Sequence, residues 1–221
     1  SYTLMSMRKA IITAFAVFYA SLLGAVNGFS ISQSTIGNGL ESQSLNVLAK
    51  DRQGRLWVGS DVGISVISNG IVTNIRDIAS EGGLVMLGNV KNIVCTETVL
   101  LACEDRILHY DHKKGYATTL RYNDRILHTD DFLLEGDIVT FYDADMHSLF
   151  TYDMNSSECN LAAGLSTRED YNFVRILRSE SDSTIIYLAD DILGLYRYDR
   201  SNGSLEHISG TDRPIIASAT A

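Results

Sequence analysis

The stretch DRQGRLWVGSDVGISVISNG, residues 51–70, holds two short runs of strand formers, Leu56-Trp57-Val58 and Ile64 to Ser68. Turn residues close each run: Gln53-Gly54 before the first, Gly59 and Gly63 at the reversal, and Asn69-Gly70 after the second. The second run recurs as Ile107 to Asp111, Leu149 to Asp153 and Leu195 to Asp199. Its fourth residue falls at 67, 110, 152 and 198, so the spacings are 43, 42 and 46 residues. A period in the forties decides the fold before any single strand does.

Each copy has the same neighbours. Upstream lie Leu56 to Val58, Val99 to Ala102, Ile138 to Tyr142 and Ile185 to Ala189. Before those come Leu45 to Leu48, Val90 to Val94, Ile126 to His128 and Phe173 to Leu177. Downstream, after a turn, come Ile71 to Ile75, Tyr116 to Leu120, Glu158 to Leu161 and Ser204 to Ile208. No helical period is sustained outside the first thirty residues. Four short antiparallel strands per repeat of this length predict an all-β chain folded as a β-propeller, with about four blades of four strands. A sandwich would show no such recurrence. The large residues of strands two and three fill the wedges between blades, while Gly59 and Gly63 serve the tight turn. The blades are expected near 39–78, 88–122, 123–164 and 171–210, with a further blade starting at 211–221. An unclosed ring would leave two apolar blade faces bare, so these blades are expected to be part of a larger propeller.

Arg8 and Lys9 precede an uncharged apolar run, residues 10–26, followed by small residues near 25–28. Residues 1–28 therefore fit a signal peptide with a short upstream extension, and 29–221 the exported portion, expected in the periplasm. A membrane anchor is the alternative, at the short limit for spanning. The net charge of −9 argues against nucleic acid as a partner, since phosphate binding needs a basic face. Membrane contact is expected only through the signal peptide or a helix downstream of this segment. Cys95, Cys103 and Cys159 are an odd set. They fit small buried residues, although Cys95 and Cys103 fall on neighbouring strands and could pair.

Gly39-Leu40, Ser44 to Val47, Asp51 to Ser60 and Gly63-Ile64 together resemble the two-component regulator propeller repeat. That repeat has the form G-L, S/N-x-V, D-x-x-G-x-L-W-[IV]-G-T and G-[LI]. Its residues here are Asp51, Gly54, Trp57, Gly59 and Gly63, with Ser60 where threonine is usual. The later copies keep the spacing and the endings Tyr110-Asp111, Tyr152-Asp153 and Tyr198-Asp199 but lose the tryptophan core. The resemblance implies the periplasmic sensor region of a hybrid two-component regulator of the Bacteroidetes. Such a region responds to oligosaccharides, forms a homodimer in the full-length sensor, and passes its signal to a kinase beyond residue 221. A non-signalling scaffold, or a propeller lyase or glycosidase, are the alternatives.

No catalytic constellation emerges, and neither a cofactor nor a metal is expected. His109 and His112 lie on a strand and in its turn. Asp143-Ala144-Asp145 opens like a calcium loop but lacks the glycine and distal glutamate. Asp130-Asp131 and Asp190-Asp191 fit turn or solvated roles, because adjacent strand residues face opposite ways. Gly82-Gly83 fits a plain loop between blades. Aromatic and cationic residues between strands, Tyr122, Arg121, Arg125, Arg168 and Tyr171, are the candidates for carbohydrate contact.

Overall fold

The computed structural model describes residues 39–165 and 171–208, and every regular element among them is a β-strand. Residues 1–38, where a signal peptide is expected, 166–170, which include Arg168, and 209–221, where a further blade is expected to start, lie outside the described residues. Four sheets form a four-bladed propeller. Blade one runs β1 (Leu45–Lys50), β2 (Leu56–Ser60), β3 (Gly63–Ser68) and β4 (Ile71–Ile75), each antiparallel to the next. A hairpin follows, β5 (Asp77–Ser80) and β6 (Gly83–Met86). Blade two is β7 (Val90–Cys95), β8 (Val99–Cys103), β9 (Ile107–Asp111) and β10 (Tyr116–Thr119). A second small hairpin, β11 (Arg121–Tyr122) and β12 (Arg125–Ile126), leads to blade three. That blade is β13 (Leu133–Glu135), β14 (Ile138–Asp143), β15 (Ser148–Asp153) and β16 (Cys159–Gly164). Blade four is β17 (Phe173–Arg178), β18 (Ile185–Asp190), β19 (Gly194–Asp199) and β20 (Ser204–His207).

Two expectations are corrected. Gly82-Gly83 is not a plain loop: it turns a hairpin whose first strand, β5, pairs parallel to β10, so blade two becomes a six-stranded sheet. Ile78 of that strand is buried in the seam between blades one and two. The first strand of blade three is β13, not residues 126–128. Leu127 has no place in that sheet; its amide bonds the Leu120 carbonyl and its carbonyl takes the Ile107 amide, burying it between blades two and three.

Three apolar seams hold the blades. Trp57 and Ile64 meet Val90, Leu101 and Tyr110; Leu100 and Ile107 meet Phe141, Phe150 and Tyr152; Tyr142 and Leu149 meet Phe173, Ile186 and Tyr198. Thus Tyr110, Tyr152 and Tyr198 each fill one seam. The aspartates after them do something else. The Oδ1 atoms of Asp111, Asp153 and Asp199 each accept the backbone amide two residues on, capping the turn into strand four. Four residues beyond each aspartate the backbone turns left-handed, at Gly115, Ser157 and Gly203. Blade one manages with the two-residue Asn69-Gly70 turn, both at positive φ, as a type I′ hairpin requires. Among the described residues no apolar cluster joins blade four to blade one, and Leu48 on β1 stays 66% exposed.

Candidate functional site

The repeat motif is a structural device. The Asp51 carboxylate is buried and accepts four bonds: the amides of Gln53 (3.0 Å) and Arg55 (2.9 Å), Arg55 Nε (2.6 Å) and Trp57 Nε1 (2.9 Å). Burial alone would raise its pKa; the bonds from Trp57 and Arg55 outweigh that and hold it below the usual aspartate range. Arg55 also places Nη2 2.7 Å from His112 Nε2 of blade two. A guanidinium only donates, so His112 accepts there and its proton sits on Nδ1. Burial and that cation depress the His112 pKa. Trp57, 1% exposed, lies edge-on to both Tyr110 and His112. Asp51 and Trp57 are buried and closed to a ligand, while Arg55 and His112 are partly exposed.

The site lies on the propeller axis, where the innermost strands begin. There a cavity of about 550 Å³ is lined by Leu45 and Asn46 from blade one, Asn89 and Lys91 from blade two, Asp130 from blade three, and Val174 and Arg175 from blade four. A recurring irregularity builds it. The β1–β2 register slips between Leu45 and Val47, β7–β8 between Val90 and Asn92, and β17–β18 between Phe173 and Arg175. The residue left over in each bulge is Asn46, Lys91 or Val174, and all three line the cavity. A bulge re-aims a side chain that strict alternation would place elsewhere. Blade three has no strand at this level, but its backbone runs alike. The carboxylates ending β14 and β18, Asp143 and Asp190, hold the amides of His128 and Asn172, so Asp130 corresponds to Val174.

The position one step along forms a second layer, Asn92, Asp131 and Arg175. Asp131 is 8% exposed; it takes a bond from Asn92 of blade two, the Ile176 amide of blade four at 2.8 Å, and an ion pair with Arg175 at 3.6 Å. Burial pushes its carboxyl above the ordinary range despite those partners. Above it the outer layer is a continuous polar chain. Asn46 Nδ2 donates to Asn89 Oδ1 (2.7 Å), Asn89 Nδ2 to Glu104 Oε2 (2.8 Å), and Lys91 Nζ reaches Glu104 (3.6 Å) and Asp130 (2.7 Å). Burial works against the Lys91 charge, yet Asp130 and Glu104 keep its pKa above the usual lysine value. The expectation of turn or solvated roles for Asp130 and Asp131 is therefore corrected: they tie blade three to blades two and four.

The sequence candidates lie elsewhere. Arg121, Tyr122 and Arg125 come together on the β11–β12 hairpin, where Tyr122 packs edge-on to Phe150 at 5.2 Å. Arg121, donating to the Asp124 carbonyl, lines a smaller cavity of about 320 Å³ between blades two and three, with His109, Tyr152, Ser157 and Cys159. His109 is fixed there by Thr98 Oγ1 on Nε2 (2.5 Å) and the Tyr152 hydroxyl on Nδ1 (2.6 Å), and burial lowers its pKa. Tyr171 is stacked on Phe173 within the seam of blades three and four. Arg168 lies outside the described residues. The axial residues were missed because a lone polar residue in an apolar strand looks like ordinary alternation. Their signal was positional: one recurring place per repeat, which in blades one, two and four is one residue past the start of the first strand.

The chain matches no protein-family model and no curated protein. Solved structures do match. The extracellular domain described as that of the hybrid two-component system BT3049 of B. thetaiotaomicron aligns at a TM-score of 0.64 and 14% identity, over 80% of this chain and 26% of that one. This chain shares the fold of the aligned part of that extracellular domain. The corresponding domain of BT4673, from the same organism, aligns at 0.59 and 20% identity, over 79% and 23%. An ancestral GH74 enzyme aligns at 0.56 and 11% identity, over 76% and 24%. The chain spans about a quarter of the length of these structures. At such identities the likeness concerns the fold, which serves sensors and enzymes alike.

Proposed function

We propose that these blades belong to the ligand-sensing, periplasmic part of a hybrid two-component regulator that responds to oligosaccharides. The observation that carries this is the axial cavity, to which all four blades contribute at one repeat position: Asn46, Lys91, Asp130 and Val174. A ligand held there touches every blade at once, and so can alter how the blades sit against one another. The kinase output, and a homodimer in the full-length sensor, belong to the same proposal and lie outside these residues. The sensor fold of the BT3049 and BT4673 domains and the motif around Trp57 support it. A glycosidase reading has less support, since Asp130, the one carboxylate lining the cavity among the described residues, is engaged by Lys91 at 2.7 Å.

Isothermal titration of the chain with an oligosaccharide panel tests the reading. Saturable binding that Asn46→Ala or Arg175→Ala weakens at least about tenfold, roughly one well-made polar contact, is the expected result. Binding that neither variant alters would remove the axial cavity from the proposal. Hydrolysis of the panel would favour the enzyme.

A further inference from the structure

The charges around the axial cavity are already spent on one another. Lys91 faces Asp130 at 2.7 Å and Glu104 at 3.6 Å, and Arg175 faces Asp131 at 3.6 Å. Two cations thus meet three carboxylates, within a chain whose net charge is −9. An acidic ligand would have to part a lysine or arginine from its carboxylate and then sit beside that carboxylate, with the field of the whole chain against it. What the cavity does offer is mixed. Asn46 gives its amide N–H groups to Asn89 and Val90, and its Oδ1 has no hydrogen-bond partner among the described residues. Lys91 has a third N–H, and Asp130 has acceptor capacity beyond that one bond. Leu45 and Val174 add apolar surface beside them.

Resting on the sensing role proposed above, we infer that the axial cavity selects an uncharged sugar and excludes acidic glycans. A sugar hydroxyl donates and accepts at once, and an amide next to an ion pair satisfies both demands without breaking the pair. The C–H faces of the ring rest on Leu45 and Val174. The bulges that deliver Asn46, Lys91 and Val174 to one level make this a property of the backbone as well as of the side chains.

The test uses matched di- and trisaccharides that differ only by oxidation at C6: glucose against glucuronate, galactose against galacturonate, mannose against mannuronate. Titration calorimetry on the intact chain should find a neutral member bound at least about tenfold more tightly than its uronate partner, with affinity changing less than about twofold between low and high salt, as screening predicts for an uncharged ligand. Asp130→Asn removes the nearer of the two carboxylates facing Lys91 and should narrow that preference by raising uronate affinity. Should this variant fold poorly, as thermal unfolding would show, the salt series on the unaltered chain still decides. A uronate bound more tightly, with affinity falling steeply in salt, overturns this inference and leaves sugar sensing standing. No binding by any member overturns both.

Discussion

At the scale of single residues the clearest prediction concerns Asp51. Among the described residues its carboxylate is the only acceptor for the Trp57 indole and for the backbone amides of Gln53 and Arg55. Asp51→Ala strands those donors inside blade one and frees Arg55 beside His112. Loss of a buried, charge-assisted acceptor of this kind costs about 3 kcal/mol. Urea unfolding at neutral pH should show that loss. The pH dependence has a definite sign. The folded-state pKa of Asp51 lies below its unfolded value, so its contribution is present above about pH 4 and fades as pH falls through the lowered folded value. Stability curves of the parent and Asp51→Ala should therefore converge in acid, and curves that stay parallel would show that ionised Asp51 is not what stabilises the turn. The motif around Asp51 was legible because local bonds dictate it: an aspartate, a glycine at φ +82° and a tryptophan six residues on close one small turn. Asp131 was not legible. Its partners lie 39 and 45 residues away, and no short pattern announces a carboxylate shared by three blades.

At the scale of elements, alternation and turn chemistry anticipated fifteen of the twenty strands among the described residues, but not β5, β6, β11, β12 or β13. The exceptions have a cause. The β5–β6 hairpin pairs in parallel with a strand thirty-odd residues later, and blade three begins with a three-residue strand too short to show a period. The two glycines of β2–β3 also divide their labour in a way composition could not show. Gly63 has φ +142°, and a Cβ there would stand 2.5 Å from the Ile75 carbonyl oxygen, so it serves the turn as expected. Gly59 serves the seam instead, since a Cβ would meet Val47 at 2.6 Å and both a methyl and the carbonyl of Val90 in blade two at 3.1 Å. Gly59→Ala should cost about 1–3 kcal/mol by overpacking, and less when Val47 is also alanine. A neutral Gly59→Ala would mean that the blades part freely. On β7 and β8, Cys95 sits opposite Val99 and Cys103 opposite Val90, at opposite ends of the pair, so the two do not bond. Burial pushes the thiols of Cys95 and Cys103 up to about 12 and that of Cys159 up to about 11. Ellman's reagent at pH 8 should thus label the native chain slowly, with Cys159, which lines the smaller cavity, first and buried Cys103 last. Labelling at the rate of a free thiol before denaturant is added would contradict that burial.

At the scale of the whole molecule, blades two and three are each gripped on both faces by an apolar seam, while blades one and four have one seam apiece among the described residues. In a repeat architecture stability is close to a sum of what each unit holds and what it shares with its neighbours. Lys91–Asp130 and Asn92–Asp131 tie the inner blades to each other, and at the opposite end of the axis Arg52 of blade one reaches both Glu97 and Asp137. The last two ion pairs are exposed and add little, so the seams set the ranking. Every residue of β8 is buried, and all but Ile138 of β14; in β1 none is, and in β20 only Leu205 is even half-buried. Native-state hydrogen exchange should accordingly protect β8 and β14 most, opening only with global unfolding, and release the outer amides of blades one and four through local opening at lower free energy. A sugar seated on the axis would then raise protection in blades one and four more than in two and three, because there it adds contacts where seams are missing. Equal protection of β1, β8 and β20 without ligand would refute the three-seam account, and with it the idea that an axial ligand works by drawing the outer blades inward.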